Sequence, residues 1–432
     1  MNIMLYTAVT LTITAILAGS IRADKADSPA ARGLDAPADF FPILPWEGIR
    51  GEDLESVADC NFTVAGFVQA QDVPACEKLG LKAIIAPRKD FAPWRDKWVN
   101  VPDDVVDDSV KRMIEEAGKS NAIIGYFITD EPGTSKFAAL SKAVAAVKKY
   151  APGKLAYINL FPGYATIGAP DQSQLEADSY TDYLERFIKV VEPQMLSYDD
   201  YMVHYSDDFQ DERRAAIYFT DLLEVRRVAL EHGLPFWNTV CSNQIRPFTT
   251  IPSPANLMLQ AYTTLAAGGR GLAWYTYYER GYDYAPIDKS GRRTDTWQYL
   301  RVVNGQLKVL GPIMNPLRST GVFFTGPAPG KGLPLLPGRL VESATSRSSV
   351  RGLGDDKPPM MVGEFDSGGG SDYVMVVNLS LEKSANFQLN TRKSYRRKSV
   401  ISAQDGTLSQ FDEENGEWLV PGGGVLIQLS ER

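Results

Sequence analysis

The sequence predicts an α/β protein, a (β/α)8 barrel followed by a small C-terminal antiparallel β-sandwich domain. Strand-like and helix-like segments alternate eight times between residues 40 and 310, as in parallel β-α-β units. No glycine-rich phosphate loop follows the first strand, and the count of eight favours a closed barrel over an open doubly wound sheet. From about Gly321 helical periodicity stops, and short β-type runs alternate with turn residues. We therefore expect a barrel domain over 37–318 and a sandwich domain over 319–432.

The barrel elements are predicted from short apolar runs that alternate with amphipathic segments. The strands are expected at 40–46, 62–68, 82–87, 123–129, 155–160, 195–201, 235–240 and 271–277. The helices are expected at 53–60, 73–79, 109–117, 136–150, 180–191, 211–231, 254–267 and 296–310. Apolar residues three and four positions apart support the fourth helix, and Ser253-Pro254 is a good start signal for the seventh. Strands of the sandwich are expected at 322–325, 360–365, 373–379, 385–389, 399–403, 417–420 and 425–429.

The N-terminal segment is predicted to be a targeting sequence that lies outside the fold. Residues 4–19 form an apolar run that is short for a membrane span, and small residues follow it. We predict a signal peptide over 1–23 and a polar leader over 24–36, which makes the protein secreted or periplasmic. No later segment of the sequence is long and apolar enough for a membrane span.

Composition excludes several classes of function. The formal net charge is −8 with acids and bases interspersed, so no nucleic-acid partner is predicted. The three cysteines exclude a full disulfide framework, and both a Cys60–Cys76 bridge and buried free thiols remain open. The sequence has no Cys-His metal spacing and no nucleophile-elbow motif, so we predict no metal and no cofactor.

The fourth predicted strand ends in two adjacent carboxylates, Asp130 and Glu131, followed by Pro132. Since neighbouring residues of a strand point to opposite faces, the two acids are expected to do different work. If the two acids have no catalytic or binding role, Asp130 is expected to cap the next helix and Glu131 is expected to form a salt bridge. In a barrel, however, active sites lie at the C-terminal ends of the strands, which favours a catalytic or binding role for this pair.

Aromatic and polar residues are also frequent at the other predicted strand ends. They are Trp46, Glu47, Arg88, Asn159, Tyr164, Tyr198, Asp199, Asp200, Tyr201, His204, Asn238, Cys241, Asn243, Trp274, Tyr275, Tyr277, Tyr278 and Glu279. Aromatic rings can stack on sugar rings, and glycoside hydrolysis needs one carboxyl group as acid and a second as nucleophile or base. The alternative for any single aromatic residue is core packing, and for Asp199-Asp200 it is helix capping.

Residues 125–132, GYFITDEP, resemble strand four of clan-A glycoside hydrolases such as β-galactosidases and endoglycanases. The resemblance implies that Glu131 is the general acid/base and that Asp130 takes the place of an asparagine that holds a sugar hydroxyl. The family's nucleophile is a glutamate at the end of strand seven, where this chain has FWNTVC at 236–241. The predicted catalytic pair is therefore Glu131 with Asp199, and Glu279 and Glu47 are weaker second-carboxylate candidates.

The pair Tyr198-Asp199 also resembles the strand-six Tyr-Asp of chitinase-type hydrolases, which use the substrate's own N-acetyl group as nucleophile. The sequence thus predicts an exported glycosidase with a carbohydrate substrate. The predicted substrate-binding residues are Asp130, Asn159, Tyr198, Tyr201, Trp274 and Trp46. A catalytically inactive glycan-binding barrel and a carbohydrate lyase on the same fold are the alternatives.

Overall fold

The computed structural model describes residues 37, 39–87, 98, 101–206, 209, 214–348 and 357–431. The predicted signal peptide and leader, 1–36, lie outside these residues, as does Arg88, so the corresponding expectations stay predictions. In the part of the chain that is described, no helix is long and apolar enough to cross a membrane.

Eight parallel strands close into a barrel. The strands β1 to β8 are Ile43–Pro45, Val64–Val68, Lys82–Ile85, Ile123–Asp130, Leu155–Asn159, Leu196–Asp199, Phe236–Cys241 and Leu272–Tyr275. They form two four-stranded sheets in the orders β1-β8-β7-β6 and β2-β3-β4-β5. Parallel bridges from Gly48 to Phe67 and from Leu160 to Tyr198 join these sheets at the two seams. All eight predicted barrel strands are confirmed.

The eight helices that follow the strands form the outer layer. The helices α1 to α8 are Leu54–Asp59, Val73–Lys78, Asp103–Ala117, Phe137–Tyr150, Tyr180–Val191, Ile217–Glu231, Pro254–Ala266 and Asp295–Met314. The helix start predicted at Ser253-Pro254 is confirmed, and a capping box is present there, with the Asn256 backbone N–H donating to the serine hydroxyl. Helix α3 begins earlier than predicted, directly after Pro102, with Asp103 and Asp104 in its first turn.

The barrel has two apolar layers. Its interior is filled by side chains of the strands, including Leu44, Phe67, Phe127, Tyr157 and Trp237. A second and larger layer lies between the outer face of the strands and the helices. Because the interior is packed, a ligand of the barrel meets the strand ends and the loops that follow them.

The C-terminal region is a β-sandwich. Its strands β9 to β17 are Arg318–Phe324, Val341–Arg347, Met360–Asp366, Ser371–Asn378, Ala385–Thr391, Arg397–Ile401, Leu408–Gln410, Glu417–Leu419 and Gly424–Ser430. A six-stranded sheet, β15-β14-β17-β12-β11-β9, packs on a three-stranded sheet, β10-β13-β16, around a separate apolar core. The seven predicted strands are present. The sequence did not indicate β10, which is rich in Ser and Thr, or the three exposed residues of β15.

The sandwich packs against helix α7 of the barrel at very short range. At Gly363 of β11 a side-chain carbon would overlap with the carbonyl of Ala266, and at Gly422 it would overlap with the carbonyl of Ala255. Glycine at these two positions therefore allows the sheet to lie directly on the helix. The predicted domain boundary at residue 318 stays a prediction.

The three cysteines are buried free thiols. Burial raises the pKa of Cys76 to about 11 and that of Cys241 to about 12, so the thiol form dominates at neutral pH. Of the two states that the sequence left open for Cys60 and Cys76, the structure shows the unbridged one.

Candidate active site

The two carboxylates after strand β4 reach the same site. Asp130 is the last residue of β4 and is exposed, while Glu131 is half-buried. Strand geometry ends between them, because Glu131 has a left-handed backbone with φ 45°. The expectation that the two side chains would point to opposite faces is therefore wrong, since alternation holds only within a regular strand.

Asn159 at the end of β5 holds the neighbouring carboxylates in place. Its Nδ2 donates to Asp199 Oδ1 at 2.8 Å and to Asp130 Oδ1 at 3.2 Å. Its Oδ1 accepts hydrogen bonds from Ser197 Oγ at 3.0 Å and from Thr239 Oγ1 at 3.4 Å. The amide is fixed on both sides, so it orients Asp130 and Asp199 toward one another.

Glu131 and Asp199 form a carboxyl pair in which a hydrogen bond joins the two side chains. Burial and the charge of Asp130 raise the pKa of Glu131 to about 7, although the hydrogen bond with Asp199 lowers it. Asp199 is only 2% exposed. Burial and the charges of Glu131 and Asp130 raise the pKa of Asp199 well above its usual range. Both shifts favour the protonated over the ionised form of these carboxyl groups.

Tyrosines surround this pair. The Tyr201 hydroxyl hydrogen-bonds Asp199, and the Tyr201 ring stacks on Tyr275 with 5.1 Å between centroids and 23° between planes. The Tyr275 hydroxyl donates to that of Tyr282 at 3.2 Å. Tyr164, from the loop after β5, lies close enough for Asp199 and Glu131 to raise its pKa further above its usual range. Tyr282 was missed, because its loop position carried no motif.

Trp46 lies in the top of the barrel interior and is 7% exposed. It packs edge-to-face on Phe67 and Phe127, with centroid distances of 4.7 and 5.7 Å, and it lies 5.7 Å from Tyr157. Most of its ring is thus used in packing, and its predicted sugar contact stays a prediction.

Two predicted substrate-binding residues lie outside the site. Tyr198 and Trp274 are fully buried in the layer between the strands and the helices. Trp274 Nε1 donates to Asn304 Oδ1 of α8 at 2.8 Å. Both predictions of a sugar contact are wrong for this structure, because Asp199 and Tyr275 occupy the inner face and their strand neighbours must then point outward.

The two weaker second-carboxylate candidates do not meet Glu131. Glu47 forms an ion pair with Arg280 at 3.1 Å and accepts a hydrogen bond from the Tyr278 backbone N–H at 3.4 Å. Glu279 accepts from the Lys289 backbone N–H at 3.1 Å and lines a separate cavity of about 520 Å³. Of the three candidates, Asp199 is the one that the structure places in contact with Glu131.

A second carboxyl pair lies directly behind the first. Asp200 is 0% exposed and is hydrogen-bonded to Asp221 of α6, which is 7% exposed. Asp200 Oδ1 accepts from the Met202 backbone N–H at 2.7 Å, and Asp221 Oδ2 accepts from that of Gly163 at 2.8 Å. Burial raises the pKa of both groups, to about 7 for Asp221. Sequence reasoning missed Asp221, because an acid within a helix resembles any solvated residue.

Two other residues from the predicted strand ends, His204 and Asn238, are buried. His204 is buried with its Nδ1 3.1 Å from Thr250 Oγ1, and burial lowers its pKa to about 4, so it is neutral. Asn238 Nδ2 donates to Thr264 Oγ1 of α7, which places it on the outer face of the barrel. Among the described residues, no group of three or more His, Cys, Asp or Glu side chains could hold a metal ion.

The structure is a (β/α)8 barrel with a C-terminal sandwich, and its fold is similar to those of several solved glycoside hydrolases. It is similar to a catalytic mutant of Gan42B, a GH42 β-galactosidase from G. stearothermophilus, with 9% identity, a TM-score of 0.55 and coverage of 93% of this chain and 100% of that one. It is also similar to a family 5 glycoside hydrolase from Bacteroides vulgatus, with 12% identity, a TM-score of 0.53 and coverage of 90% and 89%. No protein-family model matches the sequence, and no curated protein matches it.

The overlap with one further β-galactosidase is partial. The chain spans 60% of the β-galactosidase from the psychrophilic Marinomonas ef1, with 10% identity, a TM-score of 0.45 and coverage of 63% of this chain. At these identities the likeness concerns the fold alone.

Proposed function

We propose that the protein is an exported glycoside hydrolase that cleaves O-glycosidic bonds of a poly- or oligosaccharide. The observation that carries the proposal is Glu131, a half-buried acid at the C-terminal rim of the barrel whose pKa is raised to about 7. A general acid works best when its pKa is near the working pH, since it is then protonated and still able to release its proton.

Glu131 is the proton donor. It protonates the glycosidic oxygen as the bond from that oxygen to the anomeric carbon breaks, and it becomes a carboxylate. Water then adds to the anomeric carbon and returns a proton to Glu131, so the group ends as it began. The exposed carboxylate of Asp130 next to it favours the positive charge that develops on the sugar ring.

Asp199 stabilises the ionised form of Glu131. Burial and the neighbouring charges of Glu131 and Asp130 raise its own pKa well above the usual range, which favours a protonated carboxyl that can donate a hydrogen bond. That hydrogen bond lowers the pKa of Glu131 and thus favours proton release. The direct contact is much shorter than the separation of about 5–5.5 Å between the two carboxyl groups of retaining enzymes, so Asp199 fits a stabilising role better than that of a nucleophile.

The same contact supports a second candidate, a substrate-assisted reaction. Since the raised pKa of Asp199 disfavours the ionised form that a nucleophile needs, and Asp199 touches Glu131, a nucleophile from elsewhere fits the site better. The acetamido group of an N-acetylated sugar can supply it through its carbonyl oxygen. If this variant is correct, N-acetylhexosaminides will be cleaved and the corresponding hexosides without the acetamido group will not.

The test is activity of the full chain on aryl glycosides of both anomers and on soluble polysaccharides, followed by released aglycone and reducing sugar. Glu131→Gln and Asp199→Asn are the active-site variants, and Glu279→Gln is the matched control on another part of the rim. We expect Glu131→Gln to lose at least about a hundredfold in activity and Glu279→Gln to retain it.

Three outcomes would overturn the assignment. Full activity of Glu131→Gln on a glycan would show that Glu131 is not the general acid. Saturable glycan binding without release of reducing sugar would show an inactive binding barrel. Products that absorb ultraviolet light through a new carbon–carbon double bond would show a lyase, because hydrolysis forms no such bond.

A further inference from the structure

An arginine-lined cavity lies at the end of the barrel opposite the catalytic rim. Helix α6 follows the C-terminal end of β6 and leads to the start of β7, so its last turns lie at the N-terminal end of the strands. There, between α6 and the sandwich, a cavity of about 450 Å³ is lined by Arg226, Arg227, Arg318 and Arg339, with one carboxylate, Glu231. Four guanidinium groups thus line one hollow. Three of them also face carboxylates: Arg227 pairs with Glu224 and Glu231, Arg318 with Asp366, and Arg339 with Asp372.

Arg226 has no carboxylate partner among the described residues. Its Nε and Nη2 donate to Ser319 Oγ at 3.1 and 2.9 Å. Burial lowers the pKa of Arg226 to about 10, and no neighbouring charge offsets this effect. Removing a cation from water without a counter-charge is unfavourable, and a bound anion would remedy this.

The other arginines are paired weakly enough to turn toward a ligand. Arg318 lies 3.2 Å from Asp366 and its side chain is 64% exposed. Arg339 lies 3.5 Å from Asp372 and is 52% exposed. Exposed ion pairs of this kind contribute about 0–1 kcal/mol, so a bound anion can compete for both guanidinium groups. Arg227 is the exception, because Glu231 at 2.6 Å and Glu224 at 2.7 Å both hold its guanidinium group, so Arg226, Arg318 and Arg339 are left to bind the ligand.

A strand irregularity adds a hydroxyl to the same cavity. Ser319 of β9 pairs with Phe365 of β11 and Gly321 pairs with Glu364, so Thr320 is the extra residue of a bulge. The Thr320 hydroxyl is enclosed by protein and has no hydrogen-bond partner in the described part of the chain. A buried hydroxyl without a partner is uncommon, and a change of the Thr320 rotamer toward the cavity would bring this unused donor to a ligand.

We propose that this cavity is a binding site for a tetrahedral oxyanion group, a phosphate or a sulfate. The planar guanidinium fork donates two parallel hydrogen bonds to such a group, and the Thr320 hydroxyl donates a third. The group belongs either to a free ion or to an ester on a sugar. The site lies away from Glu131 and Asp199, so it does not depend on the activity proposed for them.

Titration calorimetry on the full chain tests the site with three probes: inorganic phosphate, inorganic sulfate and glucose 6-sulfate. Sodium chloride at the same ionic strength controls for unspecific screening. We expect saturable binding that weakens by at least about tenfold in Arg226→Gln and in Arg318→Gln, because each loses a charge-assisted hydrogen bond. Thr320→Val should weaken it by about two- to tenfold, as expected for a neutral hydrogen bond.

Arg186→Gln on α5 is the matched control, because Arg186 is 46% exposed and paired with Asp182 but lies outside the cavity. If Arg226→Gln does not fold, the exposed Arg318 and the isosteric Thr320→Val still decide the question. Binding of the ester as tightly as the free ions assigns the site to a modified sugar, and binding of the free ions alone assigns it to a small anion. Absence of saturable binding for all three probes, or equal binding by all variants, overturns the proposal.

Discussion

Two carboxyl pairs share one strand end and differ in their access to solvent. Asp199 and Asp200 are neighbours in sequence. Asp199 pairs with Glu131 on the rim, whereas Asp200 pairs with Asp221 of helix α6. In both pairs burial raises the pKa values, to about 7 for Glu131 and for Asp221. A raised carboxyl pKa is therefore not by itself a sign of catalysis, since structural pairs show it too.

Access and surroundings separate the two pairs. Glu131 is half-buried and stands beside exposed Asp130, so the rim pair can meet a substrate. Asp200 and Asp221 are 0% and 7% exposed, and backbone N–H groups of Met202 and Gly163 occupy one oxygen of each. We infer that the rim pair takes part in the proposed reaction. The buried pair, Asp200 and Asp221, holds α6 against the loops after β5 and β6.

The largest expected difference between the pairs is in activity. Glu131→Gln should reduce kcat/KM at least about a hundredfold, because the proposed general acid is lost. Asp221→Asn keeps an oxygen for the Gly163 N–H and an amide for Asp200, so kcat/KM should fall by much less than that hundredfold. Steady-state kinetics on one aryl glycoside compares them. An equal loss in both variants would show that the buried pair is part of the catalytic machinery.

The second difference is in stability. Asp221→Ala removes the partner of the Gly163 N–H and of the Asp200 carboxyl, and it should lower the free energy of unfolding by about 1–3 kcal/mol. Glu131→Gln should not lower it, because the charged form of Glu131 is disfavoured in the fold. Urea denaturation at pH 7 measures both. If Glu131→Gln lowered the free energy of unfolding as much as Asp221→Ala does, the assignment of a structural role to only the Asp200–Asp221 pair would be wrong.

A third, smaller effect concerns the pH dependence of stability. The pKa of Asp221 is raised from 3.8 to about 7, so the folded state binds more protons than the unfolded state between these values. The free energy of unfolding should then decrease as pH rises from about 4 to about 7. Asp221→Asn removes this titration, and the difference between pH 5 and pH 8 should shrink by about 1 kcal/mol or more. An unchanged difference would show that other groups dominate the slope.

The smallest expected effect is a shift in the pH dependence of activity when the charge beside the rim pair is removed. The charge of Asp130 raises the pKa of Glu131, so activity should decline as pH rises through about 7. Asp130→Asn removes that charge and should move this decline to lower pH by less than about one unit, since Asp130 is exposed. The pH profile of kcat/KM measures the shift, with Asp283→Asn as an exposed control. A shift to higher pH would contradict the assignment of Glu131 as the acid.

The sequence predicted the barrel well because strand and helix periodicities are local. Strand β4 and helix α5 were placed within one residue, since an apolar run and an amphipathic stripe each mark their own element. The direction of single side chains is harder to predict, because strands of a barrel are apolar on both faces. Tyr198 and Asp199 are adjacent, so strand alternation alone excludes both from facing the rim.

The site was predictable only in part, because contacts between distant segments decide it. Glu131 and Asp199 were predicted from their place at strand ends, and their contact agrees with that prediction. Asp221 lies in the middle of α6, where the sequence alone does not show that Gly163 and Asp200 will meet it. The backbone turn that brings Glu131 beside Asp130 depends on how the chain leaves β4, which no local pattern indicated.

The left-handed backbone of Glu131 makes position 131 a target for substitutions that stabilise the fold. A residue with a side chain pays about 1–2 kcal/mol to adopt that conformation, and asparagine or glycine tolerates it better. One readily stabilised position of the barrel is thus the one that the proposed reaction needs most. Screens for heat tolerance that ignore turnover should enrich Glu131→Asn or Glu131→Gly, and they would select enzymes that survive and no longer work.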